Sequence, residues 1–417
     1  MLSSNKRDST IVRSTNKPFV FYRTRYVMPM STPIIENGAV VVRDGVVIAF
    51  GKYGDLKNHY SSASHHDCGE VILMPGLINA HAHLDYSMMR GQFTPGMNFT
   101  HWVQALNAIK KTLSSQDILK AIEEGARELF SWGCTSLYNV ESFADLIGNI
   151  PPLPMRLWQF IEVMDIRGRE QGIQGLASIE GLLKKKELMS CNFGVSPHAP
   201  QTSSQGLYRA AGLLAKKYQL PLCTHLAESE EEVEMFTQGE GVLFHFIKNY
   251  GRDMSDCGFQ TPIQALLKND LLPEGAMLVH MNFLNREDRL MLRERGNDFY
   301  IIHCPKTHHF FKRPPFDWKF FYKNGYRILL GTDSLASNNS LNLFEEMQCM
   351  AASAPELPPE EILKMVTLHP ALSAGMQGYL GEISRGAFAD MIAIPFAGKF
   401  AKITQAVIEN KIFPKVI

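Results

Sequence analysis

The chain has no apolar run approaching the roughly 20 residues that a membrane-spanning helix requires. Its opening stretch, MLSSNKRDSTIVRSTNKPF, has no apolar core of a secretory signal. Both absences point away from a membrane or a secretory route. Neither sign of charge is in excess: Lys plus Arg and Asp plus Glu both number 42, for a formal net charge of zero. General binders of nucleic acid or anionic surfaces usually carry a basic excess, so neither is expected as a partner. Cysteine is sparse and unpatterned. Its seven copies form no CxxC pair, and an odd, scattered set favours reduced thiols and a cytoplasmic location. Cys134 and Cys223 lie in apolar runs and are expected in the core.

What is present is the make-up of a globular enzyme, 45% hydrophobic and 20% charged. The 417 residues exceed the roughly 250 of one βα barrel, leaving room for a second unit. Residues 38–50, GAVVVRDGVVIAF, place two apolar runs around Asp44-Gly45, a strong hairpin signal. Near the other end, GEISRGAFADMIAIPF and AVIENKIFPKVI repeat that character. Residues 1–73 and 380–417 are therefore expected to form one small β-sandwich domain flanking residues 74–379.

From Val71 onward, short apolar runs alternate with amphipathic stretches, the pattern of βα units around a parallel sheet. Eight strands are expected: VILMPGLINAHAH, CTSLYNV, MRLWQFIEVM, NFGVSPHAP, PLCTHLAES, AMLVHMNFL, DFYIIHCP and RILLGTDS. The fold class is accordingly α/β, a (β/α)8 TIM barrel. Residues 116–132 show an intervening helix, with Ile118, Leu119, Ile122, Ala126, Leu129 and Phe130 on one stripe. Thr202-Ser203-Ser204 offers N-caps for the helix after the fourth strand. Residues 239–271 exceed an ordinary βα connection and show no clear pattern.

Polar residues cluster at the expected C-terminal ends of these strands, the face on which barrels carry their active sites. His81 and His83 are two apart on a strand and so share a face. His225 closes the fifth strand and Asp333 the eighth. Three imidazoles and a carboxylate suit a borderline cation such as Zn2+ or Fe2+, with a position left for water. Any one of these histidines could be a hydrogen-bonded core residue. Several ionisable groups at the ends of separate strands are hard to attribute to packing.

MPGLINAHAHL resembles the strand-one motif of the amidohydrolase superfamily. THLAES and LGTDSLASN resemble the strand-five HxxE and strand-eight motifs of its deaminase and chlorohydrolase branch, and GEISRGAFADMIAI resembles the return to the β-domain. The resemblance spans residues 38–394. It implies that His81, His83, His225 and Asp333 bind one divalent metal ion, Zn2+ or Fe2+. It further implies Asp333 as a catalytic proton acceptor and Glu228 as the proton shuttle. By the same resemblance His280 in LVHMNFL orients the attacking water, and His198 in VSPHAP contacts substrate. Binuclear relatives carry a carboxylated lysine on strand four. Residues 192–200 contain none, which implies a single metal.

The reaction so implied is hydrolytic deamination of a purine-like ring. FTHWV at 99–103 resembles the FxxW segment of guanine and adenosine-type deaminases, where Trp102 would wall the substrate site. HCPKTHHFFKRPPFDW, followed by GTDSLASNNSLNLFEEM, resembles bacterial aminodeoxyfutalosine deaminases, which act on an adenine nucleoside of menaquinone synthesis. Relatives acting on methylthioadenosine and S-adenosylhomocysteine usually carry an acidic residue just beyond the tryptophan. Here that stretch is Asn107-Ala108-Ile109-Lys110-Lys111. A futalosine-type substrate bears a benzoate, so a basic partner is expected from among Arg90, Lys111, Arg167, Lys306 and Arg313. His309, with His308, is a further candidate for lining the site. The alternatives are deamination of S-adenosylhomocysteine, methylthioadenosine, adenosine or guanine, a triazine-type chlorohydrolase, and an inactive barrel scaffold. The partner expected is a small-molecule nucleoside, and many relatives are homodimers.

Overall fold

The structure, a computed structural model, describes residues 18–185, 187 and 189–417. The first 17 residues of the expected β-domain thus lie outside the described residues. The chain enters as β1 (Val20–Val27), β2 (Ile35–Arg43), β3 (Val46–Lys52), β4 (Ser64–Asp67) and β5 (Val71–Pro75). The β2–β3 turn is the expected hairpin. Asp44 and Gly45 have φ of 53° and 73°, the doubly left-handed turn that Asp-Gly adopts at low cost.

Nine strands follow at the centre: β6 (Leu77–His83), β7 (Cys134–Glu141), β8 (Arg156–Val163), β9 (Asn192–Pro197), β10 (Cys223–Leu226), β11 (Met277–His280), β12 (Tyr300–His303), β13 (Arg327–Leu330) and β14 (Asp333–Ser334). The chain ends with β15 (Met391–Pro395) and β16 (Lys415–Val416).

The two chain ends do meet, since β15 pairs antiparallel with β5. Among the described residues the terminal strands form a single seven-stranded sheet, ordered β16-β15-β5-β1-β2-β3 with β4 beside β1. Side-chain alternation along β2 sends Val40 and Val42 into one apolar cluster, with Leu73 and Met391, and Ala39 and Val41 into another, with Phe21. The C-terminal stretch expected as strand begins differently. A helix at Ile403–Ile408 buries Ile403, Val407 and Ile408, a helical spacing.

The central strands are parallel and divide into two sheets, β14-β6-β7-β8-β9 and β10-β11-β12-β13. This is an α/β barrel architecture whose hydrogen-bonded ladder is interrupted at two seams. At one seam a single bridge joins Val195 to Leu222. At the other the chain itself crosses: β13 pairs with β12, while β14 pairs with β6. The expected strand RILLGTDS is therefore two strands, broken at Gly331-Thr332. The expected first strand is likewise two, since β5 belongs to the terminal sheet and β6 to the barrel. The break falls at Gly76, where a Cβ would lie 2.2 Å from Thr135 Oγ1.

The helices follow the sequence closely. Helix Ser115–Ser131 opens on a capping box of Ser114 and Asp117 and buries Ile118, Ile122, Ala126 and Leu129. Ser204 caps helix Gln205–Tyr218 by accepting from the Leu207 N–H. The unpatterned segment 239–271 holds helices Val242–Lys248 and Pro262–Lys268. Cys134 and Cys223 are buried as expected. Among the described residues no helix is long and apolar enough to cross a membrane.

Candidate active site

Parallel strands bring their C-terminal ends to one face, and there the strand-end histidines and carboxylates converge. His83 Nε2 lies 3.3 Å from His225 Nε2. Asp333 Oδ1 lies 3.7 Å from His81 Nε2 and 3.9 Å from His83 Nε2, and Asp333 Oδ2 is 4.0 Å from His280 Nε2. Two overlapping groups, His81–His83–Asp333 and His81–His225–His280, each hold their ligand atoms within 4.8 Å of one another. All these residues are buried.

The donor chemistry fits a cation. Burial first, and neighbouring positive charge second, push His81, His83 and His280 well below the usual histidine range, so each offers a neutral imidazole. His81 Nε2 is buried with no hydrogen-bond partner. His225 Nδ1 faces the His198 carbonyl at 2.9 Å. A carbonyl only accepts, so Nδ1 carries the proton and Nε2 keeps its lone pair. Neutral nitrogens converging on a carboxylate are a donor set for Zn2+ or Fe2+.

The backbone is bent to build this arrangement. His280 and Asp333, neither a glycine, have φ of 77° and 56°, a strained conformation that persists where the surrounding fold enforces it. Gly331 makes room behind the cluster, since a Cβ there would lie 2.7 Å from both His81 Cβ and His81 O. Gly331→Ala is expected to displace His81 and lower metal affinity by about 10–100-fold, the scale of a lost supporting contact. Metal content after dialysis against graded chelator measures this, and an unchanged occupancy curve would refute it.

A cavity of about 450 Å³ opens over the cluster. His83, His198, His225, Glu228, His280 and Asp333 line its floor. Helix Phe99–Lys110 supplies Trp102 and Leu106 to one wall, and the 239–271 segment supplies Phe246 and Tyr250 to another. Asn98 and Glu231 hold the N-terminus of the wall helix. Glu231 accepts from the Phe99 and Thr100 N–H groups, each at 2.9 Å. Trp102 packs against Phe99 and Phe311, and its Nε1 donates to the Ala336 carbonyl at 3.0 Å. His198 Nδ1 lies 2.6 Å from Thr202 Oγ1, and its Nε2 is 3.8 Å from Glu162. Lys111 and Arg167 sit at the mouth and are exposed.

Five of the candidate residues, Arg90, Lys306, His308, His309 and Arg313, do not line this cavity. Arg90 is turned outward, held by Glu128 and the Asn339 carbonyl. Lys306 is held by Glu345 and Asn339. His309 is exposed. Sequence reasoning also missed Glu162, Tyr86 and Lys110. Glu162 ends an apolar strand on the active face, and that position was a signal. Burial works to raise its pKa, but His198 and Lys110 hold it below the usual range. Lys110 Nζ donates to Tyr86 Oη at 2.7 Å, and the Tyr86 ring stacks on His83.

Glu346 lies buried behind the site, accepting from Lys306 N–H at 2.9 Å and Asn338 Nδ2 at 2.7 Å. Burial pushes its carboxyl up to about 8 from 4.5. The folded state therefore binds this proton more tightly than the unfolded state does. Its contribution to stability is full below about 4.5 and falls as pH rises toward about 8. Urea unfolding of the wild type is expected to lose more stability across that window than Glu346→Gln does. Parallel pH dependences would contradict this.

Four similarities bear on the family. A family model described as "Amidohydrolase family" matches residues 72–413. The 5-methylthioadenosine/S-adenosylhomocysteine deaminase of Syntrophobacter fumaroxidans is 28% identical over 373 residues, covering 87% of this chain and 80% of that one. The aminodeoxyfutalosine deaminase of Deinococcus radiodurans is 27% identical over 348 residues, covering 78% and 79%. Among solved structures, an adenosine deaminase from Xanthomonas campestris with bound zinc superposes with a TM-score of 0.80 at 20% identity, covering 95% of this chain and 90% of that one.

Proposed function

Because this chain belongs to the Amidohydrolase family and is a hydrolase of carbon–nitrogen bonds, we propose that it removes ammonia hydrolytically from an adenine nucleoside, specifically aminodeoxyfutalosine. The observation that carries the reading is Glu228. Its Oε1 lies 3.6 Å from His280 Nε2, in a cavity floored by the histidine–aspartate cluster. A carboxylate so placed can exchange protons with a purine ring seated over the cluster.

In this reading His81, His83, His225 and Asp333 hold one divalent ion, which when bound supplies Lewis acidity and brings the pKa of water toward about 7. Asp333 accepts a proton from the attacking water while His280 orients it. Glu228 protonates a ring nitrogen, which makes the adjacent amino-bearing carbon electrophilic. Water adds there, the amino group takes up a proton, and ammonia leaves. His198 and Trp102 bind the ring, with the apolar wall excluding solvent.

The choice of aminodeoxyfutalosine, and with it a place in menaquinone synthesis, rests on two features. The stretch 107–111 lacks the acidic residue expected of methylthioadenosine-type enzymes. The cavity mouth instead presents Lys111 and Arg167, either of which can meet a carboxylate. The second reading is deamination of methylthioadenosine or S-adenosylhomocysteine, favoured by the similarity to the Syntrophobacter protein. Ammonia release from a panel of aminodeoxyfutalosine, methylthioadenosine, S-adenosylhomocysteine, adenosine and guanine decides between them. The first reading predicts the highest kcat/KM on aminodeoxyfutalosine. No turnover of it beside good turnover of another purine rejects that reading.

A further inference from the structure

The Glu228 carboxylate has a buried cationic partner. Arg313 Nη2 donates to Glu228 Oε1 at 3.1 Å, and the arginine side chain is only 4% exposed. Its other terminal nitrogen, Nη1, is buried without a hydrogen-bond partner. An arginine kept for packing alone would be expected to have its donors satisfied.

The loop that carries Arg313 is tied to Glu228 by a second route. His308 Nε2 lies 2.6 Å from the Pro314 carbonyl, and the Arg313 N–H donates to the His308 carbonyl at 3.2 Å. His308 Nδ1 lies 3.1 Å from Asn282 Oδ1, and Asn282 Nδ2 donates to the Glu228 carbonyl at 3.0 Å. The same assembly therefore grips both backbone and carboxylate of residue 228. The Arg313 guanidinium also lies 4.4 Å over the Phe311 ring, and Phe311 packs edge-on against Trp102 of the cavity wall.

We infer that Arg313 is a positioning residue for the Glu228 carboxylate, fixing Oε1 between the guanidinium and His280 so that Oε2 is the oxygen that meets the substrate ring. An unrestrained glutamate has three side-chain torsions and would spread over several rotamers. A charge-assisted bond from a planar guanidinium, itself held by its loop, removes that freedom. The function assigned to Arg313 is thus distinct from binding a substrate carboxylate. The inference rests on the deaminase reading for its kinetic consequence but not for its geometric one.

The test takes Arg313→Met and Arg313→Lys in the full-length, metal-loaded protein. Arg313→Met is expected to lower kcat by roughly 100-fold, the cost of misplacing a reacting group by about 1 Å. KM should change little, metal content should stay as in the wild type, and Arg313→Lys should restore about one tenfold step of the loss. In a Glu228→Gln background, Arg313→Met should add little further loss, because the two residues act as one unit. Additive losses would assign Arg313 a general structural role and overturn the inference. A raised KM with unchanged kcat would make it a substrate contact and overturn it equally. Crystal structures of both variants give a readout that needs no substrate. The inference expects the carboxylate to leave His280 in Arg313→Met and to stay in Arg313→Lys. Should Arg313→Met fail to fold, the Arg313→Lys structure and the Lys-variant cycle carry the same test. If the wild type releases ammonia from no purine nucleoside, the proposed function fails while the structures still decide the role of Arg313.

Discussion

Replacing His81 by alanine is expected to empty the metal site and lower turnover by roughly 10³–10⁴-fold, because several kcal/mol of transition-state stabilisation go with the ion. His81 is central to the proposed ligand set. It belongs to two of the clusters that could hold an ion, His81–His83–Asp333 and His81–His225–His280, so its loss breaks both. Its Nε2 is buried without a hydrogen-bond partner, so no other protein group relies on that nitrogen. The variant should fold, since truncating the ring removes a polar atom that the fold itself does not satisfy. Binding of zinc to the folded state stabilises it by mass action. Added Zn2+ should therefore raise the thermal midpoint of chelator-treated wild type and leave that of His81→Ala nearly unmoved. A variant that retains stoichiometric metal and wild-type turnover would place the ion elsewhere.

The converging histidines and Asp333 could be read from sequence because their signal is local. His81 and His83 stand at period two on a strand whose only other polar residue is Asn79, and Asp333 lies three residues past the apolar β13. The barrel strands could be read for the same reason, yet the two breaks could not. Across Gly76 the apolar run continues on both sides, while past Gly331 the chain turns polar at Thr332-Asp333-Ser334 as the end of a single strand would, and hydrophobicity reports burial, not the sheet in which a residue is buried. What breaks the strands is close approach, of Thr135 to Gly76 and of His81 to Gly331, and those partners are far away in sequence.

The same limit hid the cavity's outer wall. Helix Val242–Lys248 has only 7 residues, too few to establish a period. Three of its apolar side chains, Leu243, Phe246 and Ile247, line the cavity. Basic residues could be identified as candidates from composition and position, but their partners could not. Arg313 and Glu228 are 85 residues apart, and Arg90 and Glu128 are 38 apart. Only the folded chain shows that one arginine grips the Glu228 carboxylate and the other lies outside the cavity. The terminal β-domain was legible as β but its strand order was not, because alternation along a strand does not say which strand lies beside it.

Glu228→Gln is expected to retain the metal and to lose turnover by about 10²–10⁴-fold, the range that positioned acid–base groups contribute. Gln matches Glu in shape, so Arg313 Nη2 keeps an acceptor in Oε1 and the Glu228 carbonyl keeps its bond from Asn282 Nδ2. What disappears is an oxygen able to carry a proton to the ring. KM should stay within a few-fold, because the interaction removed strengthens in the transition state more than in the bound substrate. Affinity for a coformycin-type analogue, whose tetrahedral carbon mimics the addition step, should fall in parallel with kcat/KM. Loss of the metal in Glu228→Gln would put Glu228 in the ligand set and remove the shuttle assignment. Retained metal with undiminished kcat would instead assign proton transfer to Asp333 alone, with His280 holding the water.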